Sequence, residues 1–267
     1  MTTDLHIRAR SLRLLPALAA VTLAAGCASV PNPNPDDPWE GFNRNVYAFN
    51  DTVDRAVFKP VAQGYQAVTP KPVRTCIHNI FNNLADAWSS INSFLQGRGH
   101  DGINSLGRVL FNSTMGLGGC IDVASMNGSK RIVNDFGVTL GVWGFGPGPY
   151  IVVPFVGGTT VRDGSAMGAS LLADVSSYTP IMAIENVPLR NSIIALSLVD
   201  LRANLLDADK LVTEVALDRY SFIRDAYLQR RKSLIAGQQA DTGSNVPNYE
   251  DPLDEPATDT APAKAKQ

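Results

Sequence analysis

The chain has 267 residues, of which 45% are hydrophobic and 18% are charged. That is enough apolar material for a folded core and too much for a disordered chain. Its 23 Lys and Arg residues nearly balance 25 Asp and Glu residues and leave a formal net charge of -2. A nucleic-acid-binding surface needs a clear excess of basic residues, so nucleic acid is excluded as a partner.

Residues 1–26 predict a bacterial secretory signal that ends at a lipid-attachment cysteine. Basic residues come first, an apolar stretch of Leu, Ala and Val follows over residues 14–25, and Gly26 precedes Cys27. The apolar stretch is shorter than the roughly 18–20 residues of a spanning helix. Small residues before a cysteine are typical of lipoprotein signals, so Cys27 is expected to carry the lipid and to begin the mature chain. The alternative is ordinary secretion, with Cys27 left as a thiol.

The remainder divides into a folded body and two flanking segments. Residues 27–38 are expected to form the lipidated N-terminus and a flexible tether, because they are rich in Pro, Asn and Asp. Residues 238–267 mix Asp, Pro, Thr and Ala with few large apolar residues and are predicted to be disordered. One helical domain is expected over residues 39–237.

Apolar residues at helical spacing predict a mainly α protein with no sheet core. One stripe runs from Phe42 to Val57 and is expected to stop at Pro60. The longest helix is predicted from Lys71 to a glycine C-cap at Gly97. Further helices are predicted at about 101–112, 163–176, 187–206 and 218–236. Since no apolar run reaches the length of a membrane span, these amphipathic helices could instead lie in one membrane leaflet.

Two glycine-rich stretches, residues 113–128 and 136–158, interrupt this spacing. Glycine permits positive φ and proline fixes extended corners, so both stretches are predicted to be loops. They are either tight packing turns beneath a helical core or an apolar passage with a hinge. Residues 116–123 are the predicted hinge, because glycine-rich backbone changes conformation at low cost. The candidate residues of the passage are Met115, Gly116, Leu117, Gly118, Gly119, Ile121, Trp143, Phe145 and Tyr150.

The sequence lacks the motifs of common hydrolases and nucleotide-binding enzymes. It contains no H-E-x-x-H, no Cys/His cluster, no G-x-S-x-G and no P-loop. Gly97, Gly99 and Gly102 match G-x-G-x-x-G, but a predicted helix precedes them, so they are expected to form a helix–turn–helix corner. We therefore predict no catalytic residue, no metal site and no cofactor, which favours binding or transport.

The charged clusters are interpreted as structural. Asp207 and Asp209 follow an apolar helix and are expected to cap the next helix, from Leu211 onward. A group of basic residues near the end of the body is expected to lie on a solvated face or in ion pairs, with phosphate headgroups as the less favoured partner. Its members are Arg224, Arg230, Arg231 and Lys232.

Cys76 and Cys120 are the two cysteines of the predicted body. An even pair in an oxidising compartment suggests a disulfide. The alternative is two buried free thiols, which behave as small apolar residues.

Seven segments together resemble the MlaA (VacJ) family of outer-membrane lipoproteins, and the resemblance covers about residues 36–236. The cysteines at 76 and 120 stand where the family motif often has other residues, so the disulfide does not follow from the resemblance. The matching segments are residues 37–44 (DPWEGFNR), 79–97, 116–124 (GLGGCIDVA), 136–141 (FGVTLG), 148–150 (GPY), 205–209 (LLDAD) and 227–231 (YLQRR).

The resemblance implies a ring of amphipathic helices in the inner leaflet of the outer membrane, around a central amphipathic channel. It also implies that mislocalised phospholipids leave the outer leaflet through this channel and pass to a soluble periplasmic carrier (MlaC-like). A trimeric porin is the implied membrane partner. We therefore expect a protein on the periplasmic face of the outer membrane, anchored through Cys27, that maintains lipid asymmetry.

Two other functions stay open at this point. The first is a structural or adaptor lipoprotein that associates with porins and moves no lipid, since the same anchor and helices would serve it. The second is a periplasmic enzyme that acts on lipids, which the missing nucleophile and base disfavour. Bound lipid would identify the conduit, and released fatty acid would identify the enzyme.

Overall fold

The computed structural model describes residues 34–173 and 176–239. The predicted signal, Cys27 and most of the predicted tail lie outside these ranges. The mainly α class is confirmed. The helices are α1 (Glu40–Val53), a π-helical segment (Asp54–Phe58), α2 (Lys59–Val68), α3 (Lys71–Leu95), α4 (Gly99–Thr114), α5 (Val123–Met126), α6 (Phe136–Val142), α7 (Val161–Leu172), α8 (Thr179–Met182), α9 (Val187–Asn204), α10 (Leu206–Val215) and α11 (Arg219–Gln239), and the strands are β1 (Tyr150–Val153) and β2 (Gly157–Thr160).

The corner between α3 and α4 has the geometry that the glycine spacing predicts. Gly97 has φ +74°, which is the left-handed conformation of a glycine just beyond a helix end. Its N–H donates to the Phe94 carbonyl, and the N–H of Arg98 donates to the Ser93 carbonyl. This pair of bonds is a Schellman motif, so the G-x-G-x-x-G pattern forms a helix–turn–helix corner.

Pro60 does not end its helix as the sequence predicts. A π-helical segment (Asp54–Phe58) joins α1 to α2, and the N–H of Lys59 donates to the carbonyl of Asp54, five residues earlier. Pro60 follows as the second residue of α2. Proline cannot donate in a helix interior and its ring crowds the preceding turn, and the wider π turn accommodates this change without breaking the helical path.

A β-hairpin and helix α6 replace much of the loop predicted over residues 136–158. β1 pairs with β2 in antiparallel register, with Tyr150 opposite Thr160. Tyr150 and Val152 point inward and pack with Val46 and Tyr220. The described fold is mainly helical and has this one small two-stranded sheet, which the sequence did not predict and which adds Tyr150 and Val152 to the apolar core. Strands of four residues beside Pro154 and two glycines give too short an alternation to recognise in the sequence.

Two asparagines of α1 hold the outer edge of this hairpin. Asn43 donates to the Tyr150 carbonyl at 3.0 Å and accepts from the Val152 N–H at 2.8 Å. Asn50, two helical turns later, donates to the Val153 carbonyl at 3.0 Å and accepts from the Phe155 N–H at 2.8 Å. Each amide thus replaces the neighbouring strand that an edge strand lacks.

Asp207 and Asp209 do not cap a helix at Leu211. Helix α10 already begins at Leu206, and its start has no side-chain cap. Asp209 instead accepts from Lys59 at 2.8 Å and from Arg219 at 2.6 Å. Burial acts to raise the pKa of Asp209, but Lys59 and Arg202, which lies 3.2 Å away, outweigh it and the pKa is lowered. This carboxylate joins α10 to α2 and α11.

Replacement of Asn43 by alanine is expected to destabilise the fold by about 2–6 kcal/mol. The change leaves the buried Tyr150 carbonyl and Val152 N–H without their amide partner, and each such group costs about 1–3 kcal/mol. The exposed Asn45→Ala on the same helix is the matched control. Denaturant unfolding monitored by circular dichroism measures both, and equal unfolding free energies for the two variants would contradict this role of Asn43.

Candidate functional site

Helices α3 and α4 bury their polar sides and expose their apolar sides. The buried residues of α3 are all polar: Asn83, Asp86, Ser89, Ser90, Asn92 and Ser93. Those of α4 are Gly102, Ser105, Arg108 and Asn112. The outer apolar face of the two helices consists of exposed Ile80, Ile91, Phe94, Leu95, Ile103, Leu106, Leu110 and Phe111. A helix in a water-soluble protein has the opposite arrangement, so this face suits an apolar environment.

A buried charge network holds the polar sides of α3 and α4 together. Arg108 donates to Asp86 at 2.8 Å and to Asp122 at 2.9 Å, and Arg131 reaches the second oxygen of Asp86 at 2.9 Å. Burial acts to lower the pKa of Arg108, but the two carboxylates outweigh it and the pKa is raised. Buried charges are tolerated when paired in this way, and removal of one partner is strongly destabilising.

No helix within residues 34–173 and 176–239 has both the length and the apolar character needed to cross a membrane.

The predicted hinge, residues 116–123, overlaps a compact turn after α4 over residues 115–121 and ends at Val123, the first residue of α5. Leu117, Gly118 and Gly119 have φ of 54°, 73° and 93°, which is conformationally costly for any residue but glycine. Gly116 is buried, and a Cβ there would lie 2.2 Å from the Ile121 carbonyl oxygen, whereas Gly118 faces open space. The side chains of Met115, Leu117 and Ile121 are exposed. The turn therefore has a fixed base and an open, apolar tip.

The base of this turn is attached to α3. Cys76 and Cys120 form a disulfide that closes 44 residues, and the chain-entropy model gives such a closure about 4 kcal/mol of stabilisation. Asn79 donates to the Cys120 carbonyl at 3.0 Å, and Asn83 donates to the Ser113 hydroxyl at 2.9 Å. These contacts restrict movement at both ends of the turn.

The other candidate residues of the predicted passage lie elsewhere. Trp143 is exposed and donates its indole N–H to the Leu95 carbonyl at 3.2 Å, and Phe145 is exposed nearby in sequence. Leu95 and Asn79 lie on α3 sixteen residues apart, or about 24 Å along a helix. The structure therefore does not bring Trp143 together with the glycine turn.

Tyr150 is a core residue and not a lining residue, which corrects the expectation for it. Only 2% of it is exposed, and its ring packs against those of Tyr220 and Tyr227. Burial and the nearby Asp37 carboxylate raise its pKa. Because β1 alternates its side chains between two faces, Tyr150 and Val152 share the inner face.

An open groove lies between α3 and α9. Its volume is about 180 Å³. Helix α3 contributes His78, Phe81 and Leu84, helix α9 contributes Ser197, Asp200 and Leu201, and Tyr178 and Ile181 complete the far wall. The sequence does not indicate the contact of His78 with Asp200, because 122 positions separate them and no local pattern reports such a contact.

The floor of the groove is a hydrogen-bonded carboxylate. Asp200 is buried, and its Oδ2 lies 2.9 Å from Nδ1 of His78 and 3.1 Å from the amide nitrogen of Asn204. The Tyr65 hydroxyl donates to Oδ1 at 3.3 Å. Burial and the Asp200 charge raise the pKa of Tyr65 to about 12, so this hydroxyl stays protonated as a donor at neutral pH.

Two arginines of the basic cluster in α11 are in ion pairs. Arg224 is buried and lies 3.1 Å from Asp37, whose other partners include the Tyr220 hydroxyl. Arg231 lies 2.9 Å from Asp163. Burial acts to raise the pKa of Asp163, but the charge of Arg231 and hydrogen bonds to the carboxylate outweigh it and the pKa is lowered. The predicted ion pairs thus attach α11 to the rest of the fold.

No group of three potential metal ligands occurs in the part of the chain that the structure describes.

Comparison with known proteins assigns the family. The model of the family described as "MlaA lipoprotein" matches residues 35–234, which is most of the chain. This chain belongs to the MlaA lipoprotein family.

Curated members of the MlaA family resemble the chain along most of its length. The "Intermembrane phospholipid transport system lipoprotein MlaA" of Shigella flexneri is 36% identical over 85% of this chain and 90% of its own. The protein of the same name from Escherichia coli K12 is 35% identical over 85% and 90%. That of Haemophilus influenzae is 34% identical over 81% and 87%.

A solved structure has the same fold. A chain in the structure described as "Structural basis for maintenance of bacterial outer membrane lipid asymmetry" superimposes with a TM-score of 0.63 and 33% identity, over 74% of this chain and 98% of its own. The MlaA fold thus accounts for nearly all of that chain.

Proposed function

We propose that this protein is an outer-membrane lipoprotein that removes mislocalised phospholipids from the outer leaflet and passes them to a soluble periplasmic carrier. Its relatives are named as lipoproteins of an intermembrane phospholipid transport system. The observation that carries the proposal is the inverted polarity of α3 and α4, with a buried polar side and an exposed apolar face. In this proposal the protein maintains the lipid asymmetry of the outer membrane.

The inverted arrangement suits a protein that lies within one leaflet. The outer apolar face would contact acyl chains, and a ring of such helices would direct polar groups toward a central channel. Headgroups would then cross along polar atoms and would avoid the hydrocarbon. A lipid on Cys27 would hold the body at the periplasmic side of the outer membrane. A porin trimer beside the ring and an MlaC-like carrier below it complete the proposed pathway.

We propose further that the protein moves lipids without chemical change. The His78–Asp200 pair resembles part of a hydrolytic site, since a carboxylate orients an imidazole. The nearby Ser197, however, donates its hydroxyl to the Ile194 carbonyl at 2.7 Å. A serine engaged in this way offers no nucleophile to His78. Intact lipid at the end of transfer is therefore expected.

Protein-dependent transfer of labelled phospholipid tests the proposed function. The lipidated protein, reconstituted in liposomes with its native porin trimer, is expected to transfer intact label to the soluble carrier. Liposomes with porin alone are the control. Chromatography of the product separates intact lipid from released fatty acid.

Three results would contradict a conduit. No transfer by folded protein that remains bound to the porin would favour the adaptor function. Release of fatty acid or lysophospholipid would favour an enzyme. Transfer at the rate of the porin-only control would assign the movement to the porin.

We propose that the turn of residues 115–121 is a hinge that borders the passage. Its base is fixed by the disulfide and by Asn79, whereas Gly118 lies at the open tip. Movement would then be confined to the tip around Gly118, where the exposed side chain of Leu117 meets lipid, while the exposed Met115 and Ile121 stand at the fixed ends.

Stiffening of the tip is expected to change lipid transfer more than stability. Valine at Gly118 has room but must adopt positive φ, which costs an L-residue roughly 1–2 kcal/mol. Gly107 in α4 also has open space, and Gly107→Val is the control. Transfer rate and unfolding free energy are measured for both. A loss of transfer that merely follows the loss of folded protein would overturn the hinge.

A further inference from the structure

An arginine of α3 lies next to the groove without a carboxylate partner. Arg74 precedes His78 by four residues, so the two side chains lie on the same side of the helix. Its Nε atom is buried without a hydrogen-bond partner, and it forms no ion pair within residues 34–173 and 176–239. The charge of Arg74 opposes the rise in the pKa of Tyr65. Since His78 lines the groove beside Asp200, the four-residue spacing puts Arg74 one helical turn from the Asp200 end of the groove.

One ring nitrogen of His78 is available to a bound ligand. Its Nδ1 lies 2.9 Å from both Asp200 and the amide of Asn204, which fixes the ring. About 39% of the side chain is exposed, and Nε2 is the nitrogen that remains. A guanidinium and an imidazole one turn apart can hydrogen-bond two oxygens of one phosphate group.

The walls of the groove are apolar. Phe81 and Leu84 line one side, and Ile181 and Leu201 line the other. The volume of about 180 Å³ is below the roughly 300–1,000 Å³ of pockets that enclose a whole drug-sized ligand. The groove can therefore enclose the phosphate and ester region of a lipid, while acyl chains leave through its open side along the apolar walls.

We propose that this groove binds the phosphate group of a glycerophospholipid, with Arg74 and Nε2 of His78 as donors and the apolar walls against the adjoining chains. In the imidazolium form both ring nitrogens donate, so Nδ1–H donates to Asp200 while Nε2–H donates to the phosphate. Asp200 also stays bonded to Tyr65 and Asn204. The inference rests on the proposed transport function and names a headgroup site within it. Free phosphate would satisfy the same donors but would leave the apolar walls unfilled.

Binding of a soluble short-chain lipid tests the site directly. The full-length protein in detergent is titrated with dihexanoyl phosphatidylglycerol, inorganic phosphate and dihexanoylglycerol, which lacks the phosphate. Arg74→Gln is expected to weaken binding of the phospholipid at least about tenfold, because a charge-assisted bond to phosphate is lost. Arg74→Lys should recover part of the affinity. Lys232→Gln, which removes an exposed cation on α11, should change nothing.

The three probes of this titration distinguish a lipid phosphate from free phosphate and from acyl chains alone. Tight binding of dihexanoyl phosphatidylglycerol with weak binding of the other two probes supports the lipid site. Equal binding of inorganic phosphate would assign the groove to the free anion, and equal binding of dihexanoylglycerol would assign it to the acyl chains alone. Either result overturns the proposal, as does an unchanged affinity in Arg74→Gln. Thermal unfolding of each variant verifies its fold, and Arg74→Lys decides the question if Arg74→Gln unfolds.

Failure of this site is distinguishable from failure of the transport function. If liposome transfer proceeds while Arg74→Gln binds the short-chain lipid normally, the groove is not the headgroup site and transport stands. If the wild-type protein transfers no lipid yet shows Arg74-dependent binding, the groove binds phospholipid and the conduit fails.

Discussion

The structure depends on the requirement that buried polar groups find partners. Arg108 is buried between α3 and α4 and is satisfied by Asp86 and Asp122. Each of these groups would be costly in isolation, so the two helices must meet through their polar sides. The amphipathic spacing of α3 and α4 then leaves their apolar residues facing outward. The outer apolar face is the direct consequence of that polar interior.

The rest of the protein has a more conventional interior. Tyr150, Val152 and Tyr220 form an apolar cluster, and the Asn43 side chain hydrogen-bonds the backbone of the adjacent hairpin edge. Ion pairs join α11 to Asp37 and Asp163 next to this cluster. A conventional core of this kind can hold the chain in shape while α3 and α4 expose their apolar face. In the proposed function, this division lets one polypeptide remain folded while it contacts lipid.

Local patterns predicted most of the helices and the corner at Gly97, because helical periodicity and a left-handed glycine are encoded within a few residues. The hairpin was missed because its strands are too short for a recognisable alternation. The contact of His78 with Asp200 could not be predicted either, since it joins helices far apart in sequence. Periodicity also identified the apolar stripe of α3 without indicating that it faces outward, because burial depends on the partner helix.

The depth of the outer apolar face in a bilayer is the most direct test of this account. A fluorophore at Ile103→Cys, where the native side chain is 66% exposed, should be quenched by bromine atoms on lipid acyl chains. A fluorophore at Asp207→Cys, where the side chain is 85% exposed and charged, should escape quenching. Equal quenching at the two positions, or none at Ile103→Cys in protein verified to be folded and bound to the membrane, would contradict an apolar face immersed in lipid.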